Sequence, residues 1–180
     1  MKKIFIIPLL ALTGAALAGC GDDKVELPVD EFVTEYDNHE IQTITVGEYD
    51  FYDRQVYYSQ GKGALWFYNK WEGNMDGEGK ATEETVWSFI ANKTAFKKGI
   101  TKITFITTVD TGASKVLGSF GKSEFSDAQT SGKAVSVAAN VEKEYTIKGD
   151  GESTYFALST SGNVGAFIKN LMISSLTIWF

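Results

Sequence analysis

The side chains best suited to binding chemistry are the aromatic residues that crowd the stretch 49–96. Within residues 64–71, a period of two predicts that Trp66, Tyr68 and Lys70 share one face of a strand. Indole and phenol rings offer flat apolar surfaces for the C–H faces of sugar rings, and nearby polar groups bind the sugar hydroxyls. We therefore predict a ligand-binding face, and its candidate residues are Trp66, Tyr68, Lys70, Trp71, Trp87 and Tyr57.

Two other interpretations of these aromatic residues remain open. Both faces of the strand can be covered, one by the opposing sheet and the other by a loop, and the residues are then purely structural. Alternatively, an exposed aromatic patch binds another protein. In that case we expect a structural or adhesive surface protein whose aromatic strand makes contacts by edge pairing.

Catalytic constellations are mostly excluded by the inventory of residues, and we predict no catalytic residue. His39 is the only histidine, so a Ser-His-Asp arrangement or a multi-histidine zinc site cannot be assembled in the expected domain. A glycoside hydrolase needs only two carboxylates about 5–10 Å apart, and it remains the less favoured enzyme alternative. The carboxylates nearest the aromatic residues are Asp50, Asp53, Glu72, Glu83 and Glu84, and nothing selects a pair among them.

A calcium site is the one metal site that the sequence suggests. Asn74, Asp76 and Glu78 alternate oxygen-bearing side chains within a glycine-rich loop, and Ca²⁺ prefers several oxygen ligands. The spacing is not that of an EF-hand. The alternative is a polar hairpin loop in which glycines supply positive φ angles. We expect no other cofactor.

The amino terminus predicts export and lipid attachment. Met1-Lys2-Lys3 precedes an apolar stretch over residues 4–17, too short to span a bilayer comfortably, and Leu17-Ala18-Gly19-Cys20 follows. These residues resemble the lipobox of bacterial lipoproteins, which implies that residues 1–19 are a signal peptide and that Cys20, the only cysteine, carries acyl chains. The implied partner is a lipid membrane, and the implied location is the bacterial outer membrane.

The residues after Cys20 bear on which side of the membrane the protein faces. Gly21-Asp22-Asp23-Lys24 resembles the acidic export signals of surface lipoproteins from Gram-negative glycan-degrading bacteria, which implies display at the cell surface. Display toward the periplasm is the alternative. Removal of residues 1–19 takes away Lys2 and Lys3, so the formal charge changes from −6 to −8. Such a chain repels phosphate backbones, and we expect no nucleic-acid partner.

The remaining sequence divides into a tether and one domain. Residues 20–39 are acidic, contain Pro28 and show no sustained period, which predicts a solvated tether. From residue 40 to residue 180, short alternating runs follow one another, separated by turns rich in Gly, Asn, Asp and Ser. The expected strands cover residues 41–51, 54–60, 64–71, 85–92, 103–109, 115–120, 135–142, 144–148, 153–159 and 167–180.

Alternation with one polar face is typical of antiparallel sheets, whereas parallel sheets need crossover helices. We therefore predict an all-β, antiparallel sandwich of about ten strands, of the jelly-roll type. Its core should include Phe105, Val137, Ile147 and Phe167. The alternation over residues 103–109 predicts that Val109 also points toward the core, and the alternation over residues 135–142 predicts the same for Ala139 and Val141.

The last strands carry a second resemblance. Residues 162–173, Gly-Asn-Val-Gly-Ala-Phe-Ile-Lys-Asn-Leu-Met-Ile, are similar to the closing strands of galactose-binding-like jelly rolls. The resemblance implies a module that binds sugars without cleaving them, and it carries over no binding residue. Taken together, these observations lead us to expect a surface-anchored, non-catalytic lipoprotein that binds glycan or, alternatively, a protein partner.

Overall fold

The computed structural model describes residues 23–32, 40–71, 85–160 and 171–180. Within these residues there are fourteen strands and one short 3-10 helix, Val29–Glu31. The strands are β1 Lys24–Leu27, β2 Gln42–Val46, β3 Tyr49–Arg54, β4 Val56–Ser59, β5 Ala64–Phe67, β6 Lys70–Trp71, β7 Thr85–Val86, β8 Phe89–Asn92, β9 Lys102–Thr107, β10 Ser114–Gly121, β11 Lys133–Val137, β12 Lys143–Lys148, β13 Tyr155–Ser159 and β14 Leu171–Trp179.

Twelve of these strands form two antiparallel sheets of six. The first sheet has the order β12-β9-β14-β5-β4, and β1 pairs with the carboxyl-terminal half of β14. The second sheet has the order β11-β10-β13-β8-β3-β2. Strands β6 and β7 form a separate two-stranded ribbon.

The strand order is that of a jelly roll. From β8 onward, successive strands alternate between the two sheets, except that β10 and β11 form a hairpin within the second sheet. Each sheet thus combines strands that are distant in sequence, as two interlocked Greek keys require. The predicted antiparallel jelly-roll sandwich is confirmed, with twelve strands in the sandwich where about ten were expected.

The inner faces of the two sheets form one hydrophobic core. Phe105, Ile147 and Val137 point into it and are almost completely buried, as their alternation predicts. Phe167 lies outside the described residues. At one end of the core, Phe96 packs against Phe51 and Phe156, with ring centroids 6.1 and 6.3 Å away.

Several strands end sooner than their hydrophobic alternation suggests. The predicted inward faces included Val109, Ala139 and Val141, and all three residues are exposed. β9 ends at Thr107 and β11 ends at Val137, and each is followed by a turn that leaves the sheet. The second of these turns contains Asn140 with a φ of +58°, a conformation that Asn tolerates better than most residues.

The run 41–51 was predicted as a single strand and is a hairpin instead. β2 and β3 turn at Gly47, whose φ of +62° is readily adopted only by residues such as glycine. An alternating pattern continues across a tight hairpin, so periodicity alone does not reveal the reversal.

The predicted tether over residues 20–39 is wrong in part, because residues 24–32 belong to the sandwich. β1 pairs with β14 from Lys24 opposite Trp179 to Leu27 opposite Leu176. Leu27 and Phe32 are each only 2% exposed. The folded domain therefore begins by Lys24, and the expected boundary at residue 40 is too late.

Candidate functional site

The predicted binding strand lies inside the first sheet. β5 is paired with β4 on one side and β14 on the other, so Tyr57, Trp66 and Met172 form one cross-strand row. Leu65 and Phe67 belong to the core. Because side chains alternate along a strand, Trp66 lies on the outer face of the sheet, as the sequence predicts.

The aromatic residues of this face are only partly accessible. Trp66 and Tyr68 are half-buried and meet edge to face, with their ring centroids 5.0 Å apart. The Nε1 atom of Trp66 is itself buried. Tyr57 is 5% exposed and its hydroxyl donates a hydrogen bond to Oε1 of Gln55 at 2.9 Å. Tyr57 is therefore almost completely covered, and the accessible ring surface in this row of the sheet belongs to Trp66 and Tyr68, together called the Trp66 patch.

The predicted strand over residues 64–71 is interrupted after Phe67. The cause is Asn69, which is fully buried although it is polar. Its Oδ1 atom accepts hydrogen bonds from the backbone N–H of Ser88 at 2.9 Å, from the hydroxyl of Ser88 at 3.0 Å and from the hydroxyl of Thr160. This amide joins the end of β5 to β8 and β13, and no sequence pattern had identified it.

Because of this break, Lys70 and Trp71 belong to a different strand from Trp66. They form β6, opposite Val86 and Thr85 of β7, and their side chains are outside the described part of the structure. Trp87 is half-buried, and its carbonyl oxygen accepts a hydrogen bond from Nε of Arg54 at 3.4 Å. The structure thus brings together Trp66, Tyr68 and Tyr57 among the six predicted residues.

The opposite end of the same outer face carries another tryptophan, Trp179, which the sequence analysis did not propose as a binding residue. Its ring lies between two lysines on the neighbouring strands, with Nζ of Lys102 4.4 Å and Nζ of Lys24 5.4 Å from the ring centroid. Its Nε1 atom donates to Oγ1 of Thr104 at 2.9 Å. Lys148 follows Lys102 in the same row. Only the strand register brings these residues together.

The central part of the outer face of the second sheet is covered by the chain itself. Residues 122–132 cross it, and the ion pair between Arg54 and Asp127 holds them there. Ser159 donates to the carbonyl of Gln129 at 2.8 Å. The segment buries a small apolar cluster whose members are Phe89, Ala91, Ala157, Tyr52, Phe125 and Ala128. A ligand-binding face is therefore more readily accommodated on the first sheet.

Of the carboxylates considered for hydrolysis, the two that the structure describes, Asp50 and Asp53, do not converge. Asp50 and Asp53 point to opposite faces of β3. Asp50 accepts a hydrogen bond from the Thr45 hydroxyl at 2.7 Å, whereas Asp53 is 2% exposed inside the sandwich. Burial raises the pKa of Asp53 from 3.8 to about 7. Among the described residues, no group hydrogen-bonds to its buried Oδ2 atom.

Other predicted chemistry falls on residues outside the described ranges. These are Cys20, His39, Glu72, Asn74, Asp76, Glu78, Glu83 and Glu84. In the ranges that the structure does describe, no three His, Cys, Asp or Glu side chains are grouped to hold a metal ion. The same ranges contain no helix long and apolar enough to cross a membrane.

Comparisons with known proteins add little to this description. The sequence matches no protein-family model and no curated protein. One similar solved structure is the CBM36-1 domain of a multidomain xylanase from the hindgut metagenome of Trinervitermes trinervoides. The two share 11% identity over 86% of this chain and 95% of the other, with a TM-score of 0.42. At that score the neighbour carries no argument, and the jelly-roll assignment depends on the strand order.

Proposed function

We propose that this protein is a lipid-anchored, non-catalytic glycan-binding protein of the bacterial outer membrane. In this proposal Cys20 carries the acyl chains and the jelly roll presents the Trp66 patch to carbohydrate. The lipobox-like residues 17–20 support the anchor, and the position of Trp66 supports the binding face.

The observation that carries the binding proposal is the pairing of Trp66 with Tyr68 on an outer face. The two rings meet at an interplanar angle of 69°, so their exposed surfaces form a corner rather than a flat platform. A sugar ring stacked on one residue would then meet the edge of the other. Tyr57 and Met172, both buried, flank Trp66 on the two neighbouring strands. This arrangement favours the recognition of one sugar unit at a time over a long, flat chain.

A glycan array with the wild-type protein and with Trp66→Ala and Tyr68→Ala tests the proposal. The matched control is Trp179→Ala. Trp179 lies on the same outer face, but the ammonium groups of Lys24 and Lys102 lie over its ring, where a sugar would have to stack. We expect the first two variants to lose at least about tenfold in affinity, equivalent to about 1.4 kcal/mol. The control should bind as the wild type does. Unchanged binding by both patch variants would refute the assignment.

A second function, protein binding, was expected to use edge pairing by the aromatic strand. β5 is hydrogen-bonded to β4 and β14 on its two sides, so its backbone has no free edge. Edge pairing by β5 itself is therefore blocked, and a protein partner would have to use another strand or the side-chain face. Capture of a protein partner in place of any polysaccharide would reverse the order of the two proposals.

A further inference from the structure

One end of the first sheet collects positive charge in a protein that is acidic as a whole. Lys24, Lys102 and Lys148 occupy adjacent positions on three strands of the outer face, in one row with Trp179. Lys98 lies beside the start of this row and contacts Asp23 at 3.4 Å. We call the four residues Lys24, Trp179, Lys102 and Lys148 the basic row.

The charges of the basic row are only partly neutralised. Lys24 lies 3.6 Å from Glu26, an exposed contact of low strength. In the part of the chain that the structure describes, Lys102 and Lys148 form no salt bridge within 4.0 Å. The next row along the sheet consists of Glu26, Thr177, Thr104 and Thr146. Of its three threonines only Thr146 is exposed, and Glu26 is the one acidic side chain of this row.

Trp179 is unsuited to stacking on a sugar, because lysine ammonium groups lie over its ring. It is suited to a membrane interface, where tryptophan combines an apolar body with a polar N–H group and lysines extend toward phosphates. The ring is half-buried, so part of its edge reaches solvent. The chemistry of the basic row thus matches an anionic lipid surface.

The position of the row relative to the anchor supplies the second argument. β1 begins at Lys24, only four residues after Cys20, and four residues of extended chain span at most about 14 Å. An acylated Cys20 would therefore hold the basic row within reach of the headgroups. The corrected start of the domain is essential here, since a tether of twenty residues would impose no orientation.

We propose that the basic row is a membrane-docking surface that binds the phosphates of anionic lipids and orients the domain on its anchor. This inference rests on the lipid anchor of the proposed function. Its consequence for binding is geometric. The row lies at one end of β14, and docking through that end stands the strand upright on the bilayer. Trp66 is opposite Met172, seven residues before Trp179, so the Trp66 patch then lies about 20 Å farther from the headgroups and faces along the membrane plane.

Fluorescence quenching in vesicles tests this orientation in the acylated protein, residues 20–180. Because Cys20 is the only native cysteine and its thiol is acylated, a single introduced cysteine can be labelled uniquely. Thr146→Cys places a dye beside the basic row, and Val109→Cys places one at the far end. The vesicles contain phosphatidylcholine alone or with phosphatidylglycerol, together with a headgroup-attached nitroxide quencher.

We expect strong quenching at position 146 only with phosphatidylglycerol, and weak quenching at position 109 in both lipids. Lys102→Gln and Lys148→Gln should each weaken docking about fivefold. The matched control, Lys62→Gln at the far end, should have no effect, and thermal unfolding shows that the variants are folded. Equal quenching at both positions, or quenching that is indifferent to anionic lipid and to both substitutions, overturns the proposal.

The same samples separate failure of this inference from failure of the proposed function. Mass spectrometry reports whether Cys20 is acylated, and an unmodified Cys20 refutes the anchor and the docking surface together. An acylated chain with equal quenching refutes the docking surface alone. Glycan binding by the vesicle-bound protein, abolished by Trp66→Ala but unaffected by Lys102→Gln, tests the binding patch independently of docking.

Discussion

The buried carboxyl of Asp53 should make the protein less stable as pH rises. Burial favours the neutral form, so the folded protein holds this proton up to a pKa of about 7, while the unfolded chain releases it near 3.8. Between these values the folded state binds more protons than the unfolded state. The stability from this group is therefore complete below about pH 4 and is lost as pH rises toward 7.

The expected magnitude follows from the size of the shift. A displacement of about three pKa units corresponds to about 4 kcal/mol, at about 1.4 kcal/mol per unit, for Asp53. About 2–3 kcal/mol of this is lost between pH 5 and pH 8. That loss is a large part of the 5–15 kcal/mol by which domains are usually stable. Among the described residues, the other carboxyl with a strongly shifted pKa is Asp150. Hydrogen bonds from Ser153 lower its pKa to about 2, which is outside this window.

Urea unfolding of the mature chain at pH 5, 6, 7 and 8 measures the effect. The wild type should lose stability across the series, and Asp53→Asn, which cannot ionise, should have a much flatter profile. The two proteins differ only at residue 53, so the difference between their profiles isolates Asp53. Asp50→Asn, on the opposite face of β3, is the matched control and should follow the wild type. A wild type as stable at pH 8 as at pH 5 would refute the reasoning.

Two further predictions concern the core and the anchor. Phe105→Ala should cost about 3–5 kcal/mol because Phe105 is completely buried, whereas Trp66→Ala should cost about half as much because Trp66 is half-buried. Thermal denaturation ranks the two, and equal losses would place Trp66 in the core and remove the main support for glycan binding. Cys20→Ser should abolish acylation and leave the protein unprocessed or soluble, and mass spectrometry of a wild type with no acyl chains would contradict the lipoprotein assignment.

The sequence by itself determined which residues of most strands face the core. Tyr145 and Ile147 alternate with exposed neighbours in β12. Ile103 and Phe105 of β9 face the core as their alternation predicts, although Thr104 between them is buried too. This information is local, because a pleated strand turns successive side chains to opposite faces wherever it lies. The antiparallel sandwich followed from it, since sheets with one polar face need no covering helices.

Tertiary structure decided the features that depend on strand neighbours. Residues 24–32 contain no sustained period, yet pairing with β14 draws them into the sandwich. The basic row exists only because three strands align in register around Trp179. Strand register is a long-range property that is set by the packing of the whole sheet. It cannot be predicted from the sequence of one short segment.

In the candidate site, too, local features followed from the sequence and long-range features were decided by the tertiary structure. Alternation correctly placed Trp66 on the outer face of β5, because that placement is local. How much of Trp66 is covered, the break in the strand at Asn69 and the burial of Asp53 were all decided by contacts with distant segments. From the sequence, a polar side chain such as Asn69 or Asp53 is expected to face solvent. Whether it is instead buried, with or without hydrogen-bond partners, depends on contacts with distant segments and so on the tertiary structure.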